Sequence, residues 1–380
     1  MNETIILSVV IPTKERYEYL KILTKSLIKS TSNKYEIIIT DNTKLNSEIV
    51  EFLGNLNSNK IKYYHYPEWM SVSENFDKGV SKAQGKYVIA LGDDDGVLID
   101  ESIEFLEDCL VRNIEAIYPI PIFYQWPDNS HSVWKSTEGT FCKNNKPFYD
   151  KKINVELELE KQLNVGFSYG LGKLPRVYQG FVLNKCLKKL YSNIGTAFPG
   201  PSPDMANSVA LSTFVKNVEY TNRNLCISGH SVRSAGGLGG MKKHFGDIEK
   251  MSHLPKNSAE LWSDKIPFYW SGPTIYTESA RLALLKTNSL LIDKINYNYL
   301  YAVCFVFNKY FKNKTSVTVI NNNNNSIIKK SQRLFYYYQI FVKRAINFLN
   351  NVKNKKINKP IHAIDVDQVC NIIRSTNGYI

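Results

Sequence analysis

The chain has 380 residues, 43% of them apolar and 22% charged, which excludes a disordered or fibrous protein and allows a large core of about two domains. Its formal charge of +13 is uneven: residues 301–380 hold thirteen Lys and Arg against Asp365 and Asp367 alone, which favours an anionic surface as partner for that end. Six scattered cysteines, with no CxxC pair, exclude a disulfide framework and a zinc ribbon and read as reduced core thiols.

The N-terminus lacks the basic region and cleavage site of a signal peptide. Residues 5–11 (Ile-Ile-Leu-Ser-Val-Val-Ile) read as a buried strand stopped by Pro12. Thr13 is placed to cap a helix whose apolar face is Tyr19, Leu20, Leu23, Leu27 and Ile28. A second apolar strand over 35–40 ends at Asp41-Asn42, a helix follows over 47–56, and a third strand covers 61–66. A helix over 75–83, closed by Gly85, leads into the apolar run 87–91. Strand and helix alternate throughout, so the sequence predicts a parallel sheet with crossover helices. In such sheets ligands bind at the carboxyl ends of the strands.

The run 87–91 enters Gly92 and then three consecutive acids, Asp93, Asp94 and Asp95. Alone, the triplet is equally well an acidic surface turn or a site where a divalent cation offsets the mutual repulsion and bridges to a phosphate. Pro12, Thr13 and Asp41 also fall at strand ends, and their convergence with the triplet favours the cation–nucleotide site. Neither GxGxxG nor GxxxxGK[ST] occurs, so this is neither a typical dinucleotide site nor a P-loop. The phosphates would then rely on metal, and ribose hydroxyls or base edges on Asp41 or Asp93.

The stretches Ser8-Val9-Val10-Ile11-Pro12-Thr13-Lys14-Glu15-Arg16, Glu36-Ile37-Ile38-Ile39-Thr40-Asp41-Asn42 and Asn75-Phe76-Asp77-Lys78-Gly79-Val80, with the run through Gly85 into Leu91-Gly92-Asp93-Asp94-Asp95, resemble a family 2 glycosyltransferase of the GT-A fold. The likeness covers roughly the first hundred residues and rests on order and spacing together. It implies an inverting enzyme that moves a sugar from a nucleotide-sugar with Mg²⁺ or Mn²⁺. Pro12, Thr13, Arg16, Asp41, Asp93 and Asp94 would border the donor, and the triplet would supply a DxD-type metal site. Many relatives carry Asp at the position of Gly92, so either Asp94 or Asp95 is left as principal metal ligand.

Beyond the triplet the sequence predicts a helix over 100–111 and an irregular strand over 116–126 broken by Pro119 and Pro121. Residues 127–165 are polar and fit an acceptor-side loop or small subdomain. A strand over 178–183 and a helix over 184–191 precede Phe198-Pro199-Gly200-Pro201-Ser202-Pro203-Asp204. Asp204 either caps the next helix or, as an inverting transfer requires, is the carboxylate base for the acceptor hydroxyl. The resemblance favours the base, and one residue can do both. A strand over 225–230 runs into a Gly/Ser loop in which Ser231, Arg233 and Ser234 are candidates for diphosphate or acceptor contact and the glycines for a mobile closure. His230 is a candidate to complete the metal shell.

Residues 256–312 carry apolar side chains at helical spacing, and their longest apolar run, over 297–307, is too short to span a membrane. After the polar break 321–325, residues Leu334, Tyr338, Phe341, Ala345, Phe348 and Val352 form one apolar stripe. Lys329, Lys330, Arg333, Lys343, Arg344, Lys353, Lys355 and Lys356 surround it. That pattern reads equally as an interfacial membrane helix or as a core-facing helix with a solvated basic side. No recognition motif accompanies the charge, so nucleic acid is not expected as a partner.

The resulting expectation is an α/β GT-A Rossmann-like sandwich with a mostly parallel central sheet and a helical C-terminal region. Residues 1–250 form the catalytic domain (1–115 the nucleotide-sugar half, 116–250 the acceptor half), 251–320 a packed helical extension and 321–380 a basic amphipathic tail. The expected function is metal-dependent, inverting hexosyl or N-acetylhexosaminyl transfer to a glycan or lipid-linked acceptor, in bacterial surface polysaccharide or lipopolysaccharide synthesis. The expected location is cytoplasmic, peripheral on the inner face of the cell membrane. The rival expectations are a nucleotidyltransferase on a similar sheet and a non-catalytic membrane- or glycan-binding protein.

Overall fold

A computed structural model describes residues 4–128, 139–144, 147–234, 245–357 and 360–377, with the side chains of 350–357 and 377 left aside. Two sheets share the molecule. The strands are β1 Leu7–Thr13, β2 Tyr35–Asp41, β3 Ile61–His65, β4 Tyr87–Ala90, β5 Gly96–Val97, β6 Ala116–Pro119, β7 Ile122–Gln125, β8 Thr140–Phe141, β9 Asp150–Ile153, β10 Phe181–Leu183, β11 Val218–Thr221, β12 Cys226–His230 and β13 Ile361–His362. The larger sheet runs β3-β2-β1-β4-β10-β6-β11-β9. Within it β10 and β9 are antiparallel to their neighbours and the other strands are parallel. It is therefore the mostly parallel central sheet expected of the alternating pattern.

The first four strands of that sheet are linked by α1 Tyr17–Leu27, α2 Ser47–Leu56 and α3 Val72–Ser81. The fully buried Leu20 and Leu23 of α1 join Val9, Ile11, Ile37 and Ile39 in the principal core. Each such side chain contributes on the order of 2 kcal/mol through its removal from water. β1 continues through Pro12 instead of stopping there. Its pairing with β4 ends at Val10↔Ala90, while its pairing with β2 runs on to Thr13↔Asp41. Pro12 thus lies past the last rung on the β4 side, where no ladder bond asks for its missing N–H. Helix α3 starts earlier than expected, at Val72, because Ser71 and Glu74 close a capping box.

The smaller sheet runs β13-β8-β7-β12-β5. The irregular strand expected over 116–126 is in fact two strands in two sheets: β6 pairs with β10 and β11, whereas β7 pairs with β8 and β12. The end of the chain also departs from the expected tail. β13 pairs with β8, and the following helix Val366–Asn377 buries Val366, Val369, Cys370 and Ile373 against Tyr19, Leu98, Phe141 and Ile227. Lys29 and Asp367, and Arg374 and Glu101, tie it down by ion pairs. Residues 361–377 are therefore part of the support under the first half of the chain.

Candidate active site

β4 lies in the larger sheet and β5 in the smaller one, so the turn carrying Asp93, Asp94 and Asp95 is the joint between them. All three acids are buried, at 1–3% exposure. Burial, reinforced by the charge of Asp94, pushes the carboxyls of Asp93 and Asp95 well above the usual carboxylate range, with Arg16 pulling Asp93 back. Such a cluster persists only if its oxygens meet donors.

Asp95 is the most fully engaged. Its Oδ1 accepts from Gln179 Nε2 and from the Gly229 N–H, both at 2.9 Å. Its Oδ2 accepts from the Gly92 N–H at 2.8 Å and the Tyr178 hydroxyl at 3.0 Å. Asp93 Oδ2 accepts from Thr13 Oγ1 at 2.7 Å. Thr13 therefore does not cap α1, whose N-cap is Arg16 with no side-chain bond; its hydroxyl is taken by the triplet. Arg16 spans two of the acids, with Nη1 3.0 Å from Asp93 Oδ1 and Nη2 3.0 Å from Asp94 Oδ1. Asp94 Oδ2 accepts from the N–H and the hydroxyl of Ser231, at 3.1 and 2.6 Å, and Ser231 in turn takes a bond from Arg16 Nη2.

The close approach of β12 makes this possible. A Cβ on Gly229 would sit 1.7 Å from the Asp94 carbonyl oxygen, and that oxygen also accepts from Trp126 Nε1 at 2.9 Å. Gln179 reaches Asp95 from a left-handed backbone, φ +53°, a strained conformation for a residue with a side chain. It is held there by its N–H to the Ala90 carbonyl and by a second Nε2 bond to Ser228.

Three buried carboxyl groups, two of them bridged by one guanidinium, crowd acidic oxygens into the joint, which fits a divalent cation. Among the described residues no group of three or more His, Cys, Asp or Glu forms a protein-only cage. The ligand roles expected of Asp94 and Asp95 separate here. Asp95 has both oxygens turned to protein donors, whereas Asp94 Oδ1 meets only Arg16 among the described residues. His230, at the end of β12, is half-buried; burial lowers its basicity and the charge of Asp94 partly restores it, so it lies within electrostatic reach of Asp94.

At the carboxyl ends of β1 and β2, the register sets Thr13 beside Asp41 and Pro12 beside Thr40. Pro12 and Arg16 are partly exposed while Thr13 and Asp41 are buried. Asp41 Oδ2 accepts from Tyr17 and Tyr63 at 2.6 and 2.7 Å, and Oδ1 from the Thr43 N–H at 2.8 Å. Burial and these bonds push both tyrosines up. The carboxylate is thus tied into the wall and presents its tyrosines as neighbours.

Asp204 is the second residue of the helix Pro203–Ser212, with Pro203 at its first position. Its Oδ1 accepts from the Ser202 hydroxyl and from the Met205 N–H, and among the described residues no donor meets its Oδ2. Tyr178, bonded to Asp95, feels both groups: burial first, then the charges of Asp95, Asp94 and Asp204, hold that phenol in its protonated form. Asp204 also acts on buried Arg176, which lies over the Tyr118 ring at 3.9 Å.

Thr13, Arg16, Asp93 and Asp94 therefore form one network, with Asp41 on the neighbouring strand and Asp204 within electrostatic reach of Tyr178. Ser231, expected against diphosphate or acceptor, supports Asp94 instead. Arg233 pairs with Glu18, and Ser234 bonds back to the Ser231 carbonyl; the glycines expected to close over the site lie outside the described residues. Gln179, Tyr178, Trp126 and Gly229 carry no motif that marks them in the sequence.

Residues 8–167 match the family model for glycosyl transferase family 2, a stretch that contains the whole triplet and is under half of the chain. No curated protein matches. Among solved structures, TarS 1–349 of S. aureus with UDP is 14% identical, at TM-score 0.43, over 60% of this chain and 61% of that one. The same protein with UDP-GlcNAc is 12% identical, at TM-score 0.48, over 87% and 79%. A TarS structure from S. aureus gives 14% identity and TM-score 0.42, with 60% of this chain and only 37% of that one covered.

Proposed function

We propose that this chain, whose first half carries the family 2 glycosyltransferase segment, moves a sugar from a nucleotide-sugar to a hydroxyl of a glycan or lipid-linked glycan acceptor. Assembly of a cell-surface polysaccharide or lipopolysaccharide is the setting that suits such an acceptor. The observation that carries the proposal is the coincidence of the family match with a buried, negatively charged joint at the carboxyl ends of β1, β2 and β4.

A Mg²⁺ or Mn²⁺ ion held by Asp94, with His230 as a candidate co-ligand, would neutralise the departing nucleoside diphosphate. Asp95 fixes the turn and Asp93 stays with Thr13 and Arg16 on the donor side. The guanidinium of Arg16 stands beside the carboxylates, placed to meet donor phosphate as well. Asp204 accepts the proton of the acceptor hydroxyl through its open Oδ2 while Ser202 and Met205 hold Oδ1. The hydroxyl oxygen then bonds to the anomeric carbon from the face opposite the leaving diphosphate, with inversion.

Thermal unfolding with a panel of nucleoside-diphosphate sugars, each with Mn²⁺ and with EDTA, tests this. One donor is expected to raise the melting temperature only with metal, since a ligand at a hundred times its Kd stabilises by about 2.7 kcal/mol. Stabilisation unchanged by EDTA would overturn the metal dependence. A product that retains the donor's anomeric configuration by NMR would overturn the single-displacement role of Asp204.

A further inference from the structure

The helix Ile327–Ile357 runs for 31 residues and packs on one side only. Ile340 is buried among Tyr299, Ala302 and Val303. Arg333, also buried, donates from Nη1 to Asn298 Oδ1 and to the Asn324 carbonyl, at 2.7 and 2.6 Å. At 100° per residue, positions 333, 337, 340 and 344 lie on that packed side. The apolar stripe lies on the adjoining arc, roughly 90° round the helix from them. Ile327, Leu334, Tyr338, Phe341, Phe348 and Leu349 are 57–83% exposed, so the core-facing alternative is overturned for these residues. The side chains of Val352, Lys353, Lys355 and Lys356 lie outside the described residues. The exposed arc extends over roughly 33 Å of helix.

We infer that this face binds the surface of an anionic lipid bilayer, with the helix lying in the plane of the headgroups. The helix carries no Asp or Glu; Arg333 is buried, but Lys330, Lys343 and Arg344 are exposed and Lys329 is partly so, which complements anionic headgroups. The same charge disfavours a second copy of the chain, because two such faces would bring like charge against like. Nucleic acid would use the charge but leave the aromatic and aliphatic arc in water. Among the described residues no helix is long and apolar enough to cross a membrane. An amphipathic helix with aromatics between basic residues instead rests at the interface. This inference goes beyond the glycosyl-transfer proposal and does not depend on it.

Sedimentation of the full chain with vesicles of phosphatidylglycerol and phosphatidylcholine, and of phosphatidylcholine alone, tests it. Binding is expected to the anionic vesicles, falling as salt is raised. The triple variant Leu334→Ser, Phe341→Ser, Phe348→Ser should bind at least tenfold more weakly with an unchanged circular dichroism spectrum, since Arg333 and Ile340 are left in place. Lys330→Glu, an exposed single change, should cost about fivefold or more. Failure of the wild type to bind anionic vesicles would overturn the inference. So would a sedimentation-velocity dimer that the triple variant dissolves, or tight RNA binding, when vesicles are ignored.

Discussion

Asp95 and Asp204 both act on Tyr178, yet the one is held by donors from two distant stretches of chain as well as its own turn, and the other by its immediate neighbours. Asp95 takes bonds from Gly92, from Tyr178 and Gln179, and from Gly229; it is 1% exposed. Asp204 is half-buried and takes its bonds from Ser202 and Met205. The contrast separates two tasks for the same functional group. A carboxylate that must keep a fixed position beside a charged ligand needs a non-local, water-free cage. One that must gain and lose a proton needs an open oxygen and a local tether. On the proposed reading the joint between the sheets holds position and the helix Pro203–Ser212 carries the proton transfer.

Asp204→Asn should break the chemistry alone. kcat is expected to fall by about 10²–10⁴, while nucleotide-sugar affinity by calorimetry and the denaturation midpoint stay near wild type. Loss of donor binding in that variant would remove Asp204 from the role of base. Gly229→Ala should do the reverse. Its Cβ meets backbone 1.7 Å away, so a strand of the smaller sheet must shift; a loss of roughly 3 kcal/mol or more in urea unfolding is expected. Asp95→Asn is milder, because shape is kept and one oxygen becomes an NH₂ facing N–H donors. About 2 kcal/mol of stability should go with it, and an equally stable Asp95→Asn protein would show that the cage is not a stability element.

The acids at strand ends were legible because the signal is local: an apolar run, a glycine, three carboxylates. Partners far away in the chain were not. Thr13 reads as a helix cap from its neighbours, but its hydroxyl goes to Asp93, 80 positions on. Pro119 and Pro121 mark a break in a strand without saying that the chain changes sheets there. The 327–357 periodicity announces an apolar stripe, and nothing in a period says which side meets the core; here that side holds Arg333 and Ile340, leaving Phe341 outside. Val366, Val369, Cys370 and Ile373 carry a readable helical spacing, in a segment whose charges, Asp365, Asp367 and Arg374, set it apart from the basic stretch before it. The capping box of Ser71 and Glu74 was equally available, as a Ser-x-x-Glu before an apolar helix.

Gln179 offers the finest test of how the joint is held, because its backbone and side chain pull in opposite directions. The left-handed conformation, φ +53°, costs about 1 kcal/mol for a residue with a Cβ. The Nε2 bonds to Asp95 at 2.9 Å and Ser228 at 3.0 Å offset that, one of them to a carboxylate and so worth about 1.5–3 kcal/mol. Gln179→Ala keeps the strain and loses the bonds, and should destabilise by about 2 kcal/mol. Gln179→Gly loses the same bonds but relieves the strain, and should destabilise by only about 1 kcal/mol. The ordering wild type, Gly, Ala in urea midpoints is therefore expected. If Gly and Ala fall together, the backbone at 179 stores no strain and Asp95 is positioned by side-chain bonding alone.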